Sequence, residues 1–262
     1  MSNQRVVSVV EDLEKTMKEF MRKHKITHEE YRIATDIFIQ SVKAGEESLL
    51  PDVFLEAEAT DIESSGLPGG AEAIEGPFYL EGAAELQYPY VMPQRANEKG
   101  EVLFFHGTVS DHNGNRLAKA EIDIWHADAE GHYSHIHPDV PEGVLRGRLR
   151  TDAEGRFEVR TILPPPYEIP KDGPTGIVLS ALGRHFFRPA HLHVKVRSEG
   201  CRTHTAQIYF EGDPYLHNDV ASAVRDGLVA EVQRINDPGS LKLRGLSEPY
   251  AEVKYDFVLN RI

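Results

Sequence analysis

The sequence predicts a mostly β protein in which an antiparallel β-sandwich follows an N-terminal α-helical domain. Apolar residues recur at three- and four-residue steps over residues 4–64, the period of amphipathic helices. Beyond residue 70, apolar and polar residues alternate, as they do on half-buried strands. Between the two regions lies Gly66-Leu67-Pro68-Gly69-Gly70, the best linker candidate in the chain. We therefore divide the chain into a helical domain, 1–70, and a sandwich domain, 71–262.

Three helices are predicted in the N-terminal domain. The first carries an apolar stripe formed by Val6, Val10, Leu13 and Met17. Thr27 followed by Glu30 is a capping-box signature that starts the second helix, which ends before Gly45. The third begins near Pro51, since proline is favoured at the first helical position, and it ends around Ser64. The stripe is longer than a small helical layer can cover, so we expect a dimer interface there; the alternative is packing on the chain's own sandwich.

Strands and turns account for most of the second domain. Two-residue alternation marks Glu121–Ile124, Arg156–Arg160, Ala190–Val196 and Val253–Phe257. His112–Asn115 and Asp152–Gly155 are typical of hairpin turns, and one helix is expected around Val220–Val232. Short turns with few helices between the strands favour an antiparallel sandwich.

Composition excludes several classes of function. The 262 residues carry 29 basic and 42 acidic side chains, a formal net charge of −13, which disfavours nucleic-acid binding. Apolar runs are far shorter than the ~20 residues of a membrane span, and no signal peptide is visible, so we expect a cytoplasmic protein without membrane contact. The single cysteine, Cys201, excludes an internal disulfide framework and a cysteine-rich zinc site. Any metal must therefore be held by histidine, tyrosine or carboxylate.

The segment Arg188-Pro189-Ala190-His191-Leu192-His193 carries the sharpest chemical signal. Residues two apart on a strand project from the same face, so His191 and His193 point the same way. Two imidazoles in this arrangement can bind one metal ion, and imidazole suits iron, copper, nickel and zinc. The alternative is a pair of solvated histidines on a sheet face.

Two tyrosines lie in unusual loops. Tyr133 lies within Gly131–His135, and Tyr167 follows three consecutive prolines that stiffen its backbone. A rigid loop suits a side chain that must meet a ligand accurately, although a lone tyrosine at a loop edge more often serves packing. A rival cluster of histidines, expected to be solvated, consists of His132, His135 and His137.

Together, six segments resemble the intradiol ring-cleaving dioxygenases, the group of catechol and chlorocatechol 1,2-dioxygenases. In chain order these segments are Ile74–Tyr79, Ile124–Ala127, Gly131–Ser134, Arg146–Arg148, Pro166-Tyr167 and Arg188–His193. The resemblance covers essentially the whole chain, and its pattern of two tyrosines and two histidines is specific. It implies insertion of both atoms of O₂ into catechol or a chlorinated catechol, which gives a cis,cis-muconate in aromatic degradation.

The resemblance also implies the site. One Fe(III) per subunit would be bound by Tyr133 and His191 as equatorial ligands and by Tyr167 and His193 as axial ligands. Arg188 would face the bound ring, Tyr167 would accept a substrate proton, and Gln207 would support the ligands from behind. The substrate pocket would be formed by Leu49, Asp52, Val53, Ile74, Pro77, Phe78, Val220 and Ala221. The family further implies a homodimer through the N-terminal helices, with a lipid lodged between subunits.

Alternatives to this assignment remain open at the level of sequence. Within the family, a hydroxyquinol 1,2-dioxygenase is the more distant option. The segment Tyr167–Gly176 resembles the chlorocatechol branch, whereas Ile74–Pro77 is closer to enzymes of unsubstituted catechol. A cupin-type metal enzyme needs a glutamate three or four residues after the histidine pair, but Glu199 follows His193 with five residues between. A sandwich that only binds ligands predicts no metal at all.

Overall fold

The computed structural model describes residues 3–262 and begins with the predicted helices. Helix α1 spans Gln4–His24 and α2 spans His28–Ala44. The third predicted helix is a continuous rod of α3 (Leu49–Pro51), a π-helical segment (Asp52–Glu56) and α4 (Ala57–Ser64). The prediction is confirmed, except that the rod starts two residues before Pro51 and contains the π turn.

Local side-chain chemistry fixes where these helices start and stop. The Thr27 hydroxyl accepts a hydrogen bond from the Glu30 N–H, and the Glu30 carboxylate accepts one from the Thr27 N–H, which is the predicted capping box. Gly45 ends α2 at φ 73°, a left-handed conformation in which glycine is unstrained. Helix α1 starts at Asn3, whose side chain accepts from the N–H groups of Arg5 and Val6.

The rest of the chain forms twelve strands and two short helices. In order they are β1 (Val102–Asp111), β2 (Glu121–Trp125), β3 (Arg146–Arg150), β4 (Arg156–Ile162), β5 (Tyr167–Glu168), α5 (Pro174–Ala181), β6 (Phe187–Arg188), β7 (His191–Arg197), β8 (His204–Phe210), β9 (Val229–Ala230), β10 (Gln233–Ile235), α6 (Pro238–Arg244), β11 (Tyr250–Lys254) and β12 (Phe257–Leu259).

The strands form two main sheets and a small ribbon. One sheet has the order β10-β11-β1-β12, with β4 also paired to β1, and the other has the order β3-β2-β7-β8-β9. Strands β5 and β6 form the ribbon. The sheets are mixed rather than purely antiparallel, because β1 runs parallel to β11 and β12, and β8 runs parallel to β9. Alternation along a strand reports which face is buried but not the direction of its neighbour, so the sequence could not reveal the parallel pairs.

The two predicted hairpin turns are turns, but neither joins paired strands. The turn at 112–115 leads from β1 in one sheet towards β2 in the other, and the turn at 152–155 leads from β3 back to β4. Both therefore cross between the layers of the sandwich. An isolated bridge between Ser110 and Arg116 is the hairpin-like pairing at the first turn.

The prediction of a helix at Val220–Val232 is wrong. A reverse turn follows Asp219, whose carboxylate accepts hydrogen bonds from the N–H groups of Ala221 and Ala223. Such side-chain bonds compete with helical ones, and the chain continues as a 3₁₀ turn at Asp226–Leu228 and then as β9.

The main core lies between the two sheets, and a second apolar cluster joins the sandwich to the helical rod. In the main core the largest fully buried side chains include Phe105, Phe257, Leu103, Ile122 and Ile124. In the second cluster Leu49 and Val53 of the rod pack with Phe78, Tyr133 and Tyr167. This junction places the rod over the loops that carry the candidate ligands. Within residues 3–262, no helix has the length and apolar character to cross a bilayer.

Candidate metal centre

The four predicted ligands converge in the structure, although they come from three separate elements. Tyr133 lies in the loop between β2 and β3, Tyr167 begins β5, and His191 and His193 lie on β7. The Tyr133 ring is 5.3 Å from the Tyr167 ring and 6.0 Å from the His193 ring, measured between centroids. The rings of Tyr167 and His191 are 5.5 Å apart. Four side chains separated by up to 60 residues therefore share one small volume.

The two imidazoles present their Nε2 atoms to each other. These atoms are 3.0 Å apart, and each histidine is only 1% exposed. His191 Nδ1 lies 2.7 Å from the Pro189 carbonyl, which can only accept, so we assign the proton to Nδ1 and a lone pair to Nε2. Burial lowers the pKa of His191 to about 3 and that of His193 well below its usual range. Both rings are therefore neutral, the form that binds metal.

The tyrosines are also buried, and one of them lacks a partner. Burial raises the pKa of both phenols, most strongly that of Tyr133. Among residues 3–262, the Tyr133 hydroxyl has no hydrogen-bond partner, although it is shielded from solvent. A buried hydroxyl without a partner costs about 1–3 kcal/mol. Binding of the hydroxyl oxygen to a metal would remove this cost, and two phenol oxygens with two neutral imidazoles are a donor set that fits Fe(III).

Residues behind the candidate ligands hold His193 in place. The indole ring of Trp125 stacks on the His193 ring at 4.8 Å with an interplanar angle of 12°, because these residues are paired between β2 and β7. Gln207, paired with His193 between β7 and β8, has its side-chain nitrogen 3.4 Å from His193 Nδ1. The same amide donates to the Ile74 carbonyl at 2.9 Å. Gln207 therefore links His193 to the Ile74 carbonyl in the cavity wall.

Arg188 enters the site as part of a buried ion pair. Its Nε and Nη2 atoms donate to the two oxygens of Asp219 at 3.1 and 2.9 Å. Nη2 also donates to the side-chain amide oxygen Oε1 of Gln207 and to the Tyr209 hydroxyl. Burial opposes both charges, but the attraction prevails, so the pKa of Arg188 is raised and that of Asp219 is lowered. Asp219 has no signature in the sequence, because it lies 31 residues from Arg188.

A cavity opens beside the four candidate ligands. Its lining consists of Leu49, Asp52, Val53, Glu56, Ile74, Gly76, Pro77, Phe78, Tyr167, Ile169, Arg188, His193 and Ala221. Seven of the eight predicted pocket residues therefore line it. The exception is Val220, which belongs to the adjoining apolar cluster. It was assigned to a helix that does not form.

Three lining residues were missed from the sequence: Glu56, Gly76 and Ile169. Glu56 lies three residues after Val53 on the rod, so helical spacing could have pointed to it. Gly76 has φ 72°, and an added Cβ would lie 3.4 Å from His193 Cε1. Its backbone can therefore pass close to the ligand without a side chain in the way.

The rival histidines support the Tyr133 loop and do not join the four ligands. His137 Nδ1 accepts a hydrogen bond from the Tyr133 N–H at 3.0 Å, and its ring stacks on that of His132. His135 is exposed and accepts from the Gly143 N–H. These bonds help to hold the loop in the conformation that directs Tyr133 inward.

The chain belongs to the intradiol dioxygenase family. A family model described as "Dioxygenase" matches residues 74–261. The chain is also 38% identical to a chlorocatechol 1,2-dioxygenase of Rhodococcus opacus, over 99% of both sequences. It is 41% identical over 191 residues to a catechol 1,2-dioxygenase of Acinetobacter baylyi, which covers 72% of this chain and 61% of that one. The alternatives outside this family are therefore set aside.

Solved structures agree with the sequence relatives. The crystal structure of 3-chlorocatechol 1,2-dioxygenase from Rhodococcus opacus 1CP has a TM-score of 0.91 at 38% identity, with complete coverage of both chains. Hydroxyquinol 1,2-dioxygenase from Pseudomonas putida DLL-E4 has a TM-score of 0.89 at 28% identity and covers 100% of this chain and 94% of that one. The fold is thus shared by relatives with different substrates, and overall similarity does not identify the substrate of this chain.

Proposed function

We propose that this protein cleaves catechol or a chlorinated catechol between its two hydroxylated carbons and inserts both atoms of O₂ to give a cis,cis-muconate. The observation that carries the proposal is the convergence of Tyr133, Tyr167, His191 and His193 beside an apolar cavity. The names of the relatives, which are catechol and chlorocatechol 1,2-dioxygenases, support the same reaction.

The proposed cofactor is one Fe(III) per chain, held by those four side chains. The unpartnered Tyr133 hydroxyl and the two neutral imidazoles support this assignment. When bound, ferric iron supplies a Lewis acid and a template for the catechol oxygens. Oxygen anions such as phenolates stabilise the ferric state, so the donor set and the oxidation state agree.

The chain's own groups would manage protons and charge. A catechol must lose both hydroxyl protons to chelate a metal. We assign one of them to the Tyr167 oxygen, which would be a phenolate when it holds iron and could then act as a general base, and the other to hydroxide from solvent. Arg188 lines the cavity and carries a permanent charge in a site shielded from water. There it would stabilise negative charge that develops on the ring, because a fixed charge acts more strongly where water is excluded. Gln207, whose side-chain amide contacts both Arg188 and His193, would fix their positions relative to each other.

The cavity walls suit a flat ring with a small apolar substituent. Apolar surface is presented by Leu49, Val53, Ile74, Pro77, Phe78 and Ala221. A chlorine substituent is apolar and would pack against such a surface. Asp52 and Glu56 add two carboxyl groups to one side. They would accept a hydrogen bond from a third ring hydroxyl, so hydroxyquinol is the second candidate substrate.

Oxygen uptake would test both candidates directly. The iron-loaded enzyme should consume O₂ with catechol, 3-chlorocatechol, 4-chlorocatechol or hydroxyquinol, and the product should absorb as a muconate. The ranking of kcat/KM across the four substrates identifies the preferred ring. No uptake with any of them by an iron-replete protein would contradict the proposed reaction.

Replacing His193 with alanine tests the metal assignment. The variant loses one of four ligands, so we expect it to lose bound iron, the red-brown phenolate-to-Fe(III) colour and activity together. Metal analysis and visible absorption are the measurements. His217→Ala, at an exposed histidine, is the matched control and should keep all three properties. A coloured, active His193→Ala enzyme would remove His193 from the ligand set.

We also propose that the chain forms a homodimer through α1, with a lipid held between the subunits as in its family. No residue of α1 is buried, and its apolar stripe is about half exposed, with Leu13 at 59%. An uncovered apolar face of this length favours association. A lipid would be detected by mass spectrometry of an organic extract of the purified protein.

A further inference from the structure

Arg146, at the start of β3, is a buried arginine that the proposed reaction does not use. Its side chain is 4% exposed, and all three of its nitrogens donate hydrogen bonds. Nε donates to the Ser134 hydroxyl at 2.8 Å, Nη2 to the Ser134 carbonyl at 3.1 Å, and Nη1 to the Phe78 carbonyl at 2.7 Å. The guanidinium therefore ties β3 to the Tyr133 loop and to the cavity wall.

The charge of Arg146 lacks a carboxylate partner. All of its hydrogen-bond acceptors are neutral, and no residue among 3–262 forms an ion pair with it. Arg188, equally buried, is paired with Asp219. The buried carboxylate of Asp123 lies on neighbouring β2, but it bonds to Tyr79 and pairs with Arg197. A buried charge without a counter-ion is costly, so this position calls for an anion.

Tyr133 is the group around which the contacts of Arg146 are arranged. Ser134, which accepts two of the three bonds, follows Tyr133 in the chain. Phe78, which accepts the third, packs its ring 4.8 Å from the Tyr133 ring. Two buried polar atoms of this region have no partner among the described residues, the Tyr133 hydroxyl and the indole nitrogen of Trp125, and of these only the hydroxyl can become an anion. Arg146 thus fixes Ser134, which follows Tyr133 in the chain, and Phe78, which packs on its ring, and its positive charge acts on the Tyr133 hydroxyl.

We propose that Arg146 is a positioning residue of the metal centre: it orients Tyr133 and supplies the counter-charge of that side chain when it binds iron as a phenolate. This inference rests on the proposed function, because a phenolate ligand requires the ferric ion. It explains why a full charge is buried among neutral acceptors. The guanidinium is the side chain suited to this place, since it can satisfy several acceptors in one plane while it stays charged.

The test separates the charge from the hydrogen bonds. Arg146→Gln keeps an amide donor without charge, and Arg146→Lys keeps the charge without the planar fork. A nearby positive charge stabilises the filled orbital of a phenolate, so its removal should move the phenolate-to-Fe(III) absorption band to longer wavelength. We expect that shift in iron-loaded Arg146→Gln and a band close to wild type in Arg146→Lys. Iron content, measured on the same samples, normalises the spectra.

Arg148, two residues along β3, provides the control. It also donates to a backbone carbonyl, that of Ala83, but it is paired with Glu121. Arg148→Gln should therefore leave the band in place. An unshifted band in Arg146→Gln, or an equal shift in Arg146→Lys, would overturn the inference. If Arg146→Gln does not fold or bind iron, Arg146→Met, which removes the charge with an unbranched side chain, decides: a longer wavelength supports the counter-charge, and the wild-type position refutes it. A wild-type enzyme that binds iron without any phenolate band would contradict the proposed function itself.

Discussion

The surroundings of Arg188 and of helix α1 differ in how the chain covers its own side chains. Around Arg188 the chain buries a full ion pair, and the hydrogen bonds of the guanidinium are made by residues of the same chain. Along α1 it leaves an apolar stripe without any buried residue. The contrast teaches that one chain holds the four candidate ligands and the cavity, whereas α1 presents an apolar surface that the chain itself leaves uncovered. We therefore expect the proposed chemistry and the proposed assembly to be separable by mutation.

Among the substitutions that test this comparison, Arg188→Ala should have the largest effect, and it should act on kcat. It removes the charge that we place beside the developing negative charge, so kcat should fall by about 10²–10³-fold while iron and colour remain. KM should change less than kcat, because the charge acts in the transition state. Stopped-flow kinetics on the iron-replete variant measures the loss. An unchanged turnover number would end the catalytic role of Arg188.

The same substitution leaves the buried Asp219 carboxylate without its partner. A loss of stability could then be mistaken for a loss of catalysis, so a second variant is needed as a control. An unpaired buried carboxylate costs about 3–5 kcal/mol, so Arg188→Ala should also unfold at lower temperature. Asp219→Asn in that background removes the stranded charge and keeps one of the two oxygens that accept from the N–H groups of Ala221 and Ala223. The double variant should regain stability without regaining turnover. Recovery of both would make Arg188 a structural residue only.

An effect of intermediate size is expected at helix α1, on the oligomeric state. Leu13→Glu puts a charge into the apolar stripe and should convert the dimer to a monomer, as measured by sedimentation velocity. The cavity should keep its activity per iron, because its lining begins at Leu49. Ser8→Glu, on the opposite face of α1, adds the same charge and should leave the dimer intact. A wild-type monomer at micromolar concentration would refute the proposed interface, and loss of activity on dissociation would refute the separation of chemistry from assembly.

The smallest effect belongs to an ion pair on the outer surface of the sandwich. Hydrogen bonds from Arg244 lower the pKa of Glu158 below its ordinary value of 4.5. A carboxyl group with a depressed pKa stabilises the fold above its unfolded pKa, and that stability is lost as the pH falls through the folded pKa. The pair is partly exposed, so Glu158→Gln should cost at most about 1 kcal/mol near pH 7. Melting curves should converge with wild type in acid; a constant difference at all pH values would contradict the pairing.

The sequence predicted local features well and long-range ones poorly. The helices from Gln4 to Ser64 follow from periodicity and from the capping box at Thr27, which act within a few residues. The parallel pairing of Leu103 with Ala251 depends on where the chain returns after 148 residues, and no local pattern encodes that. The helix predicted after Asp219 does not form for a local reason that residue composition does not reveal. The Asp219 carboxylate accepts hydrogen bonds from N–H groups that would otherwise donate within a helix.

The candidate site divides in the same way. The histidine pair on β7 was visible from its spacing, and the tyrosines stood out by their loops and were assigned as ligands through the resemblance. Asp219 and Arg146 were not identified as site residues, because their importance lies in tertiary contacts with Arg188 and Ser134. A residue that binds a ligand often leaves a motif, whereas a residue that positions it is recognised from its contacts.

The π-helical segment Asp52–Glu56 has a consequence for how such a pocket can change over evolution. It is one turn wound with i→i+5 hydrogen bonds inside an otherwise α-helical rod, and it supplies three lining residues: Asp52, Val53 and Glu56. Deletion of one residue there would restore the α-helical winding and rotate the preceding turn by about 100° relative to α4. Leu49 would then leave the cavity without being mutated. Chain length at this turn is thus a determinant of pocket shape, separate from the identity of any side chain.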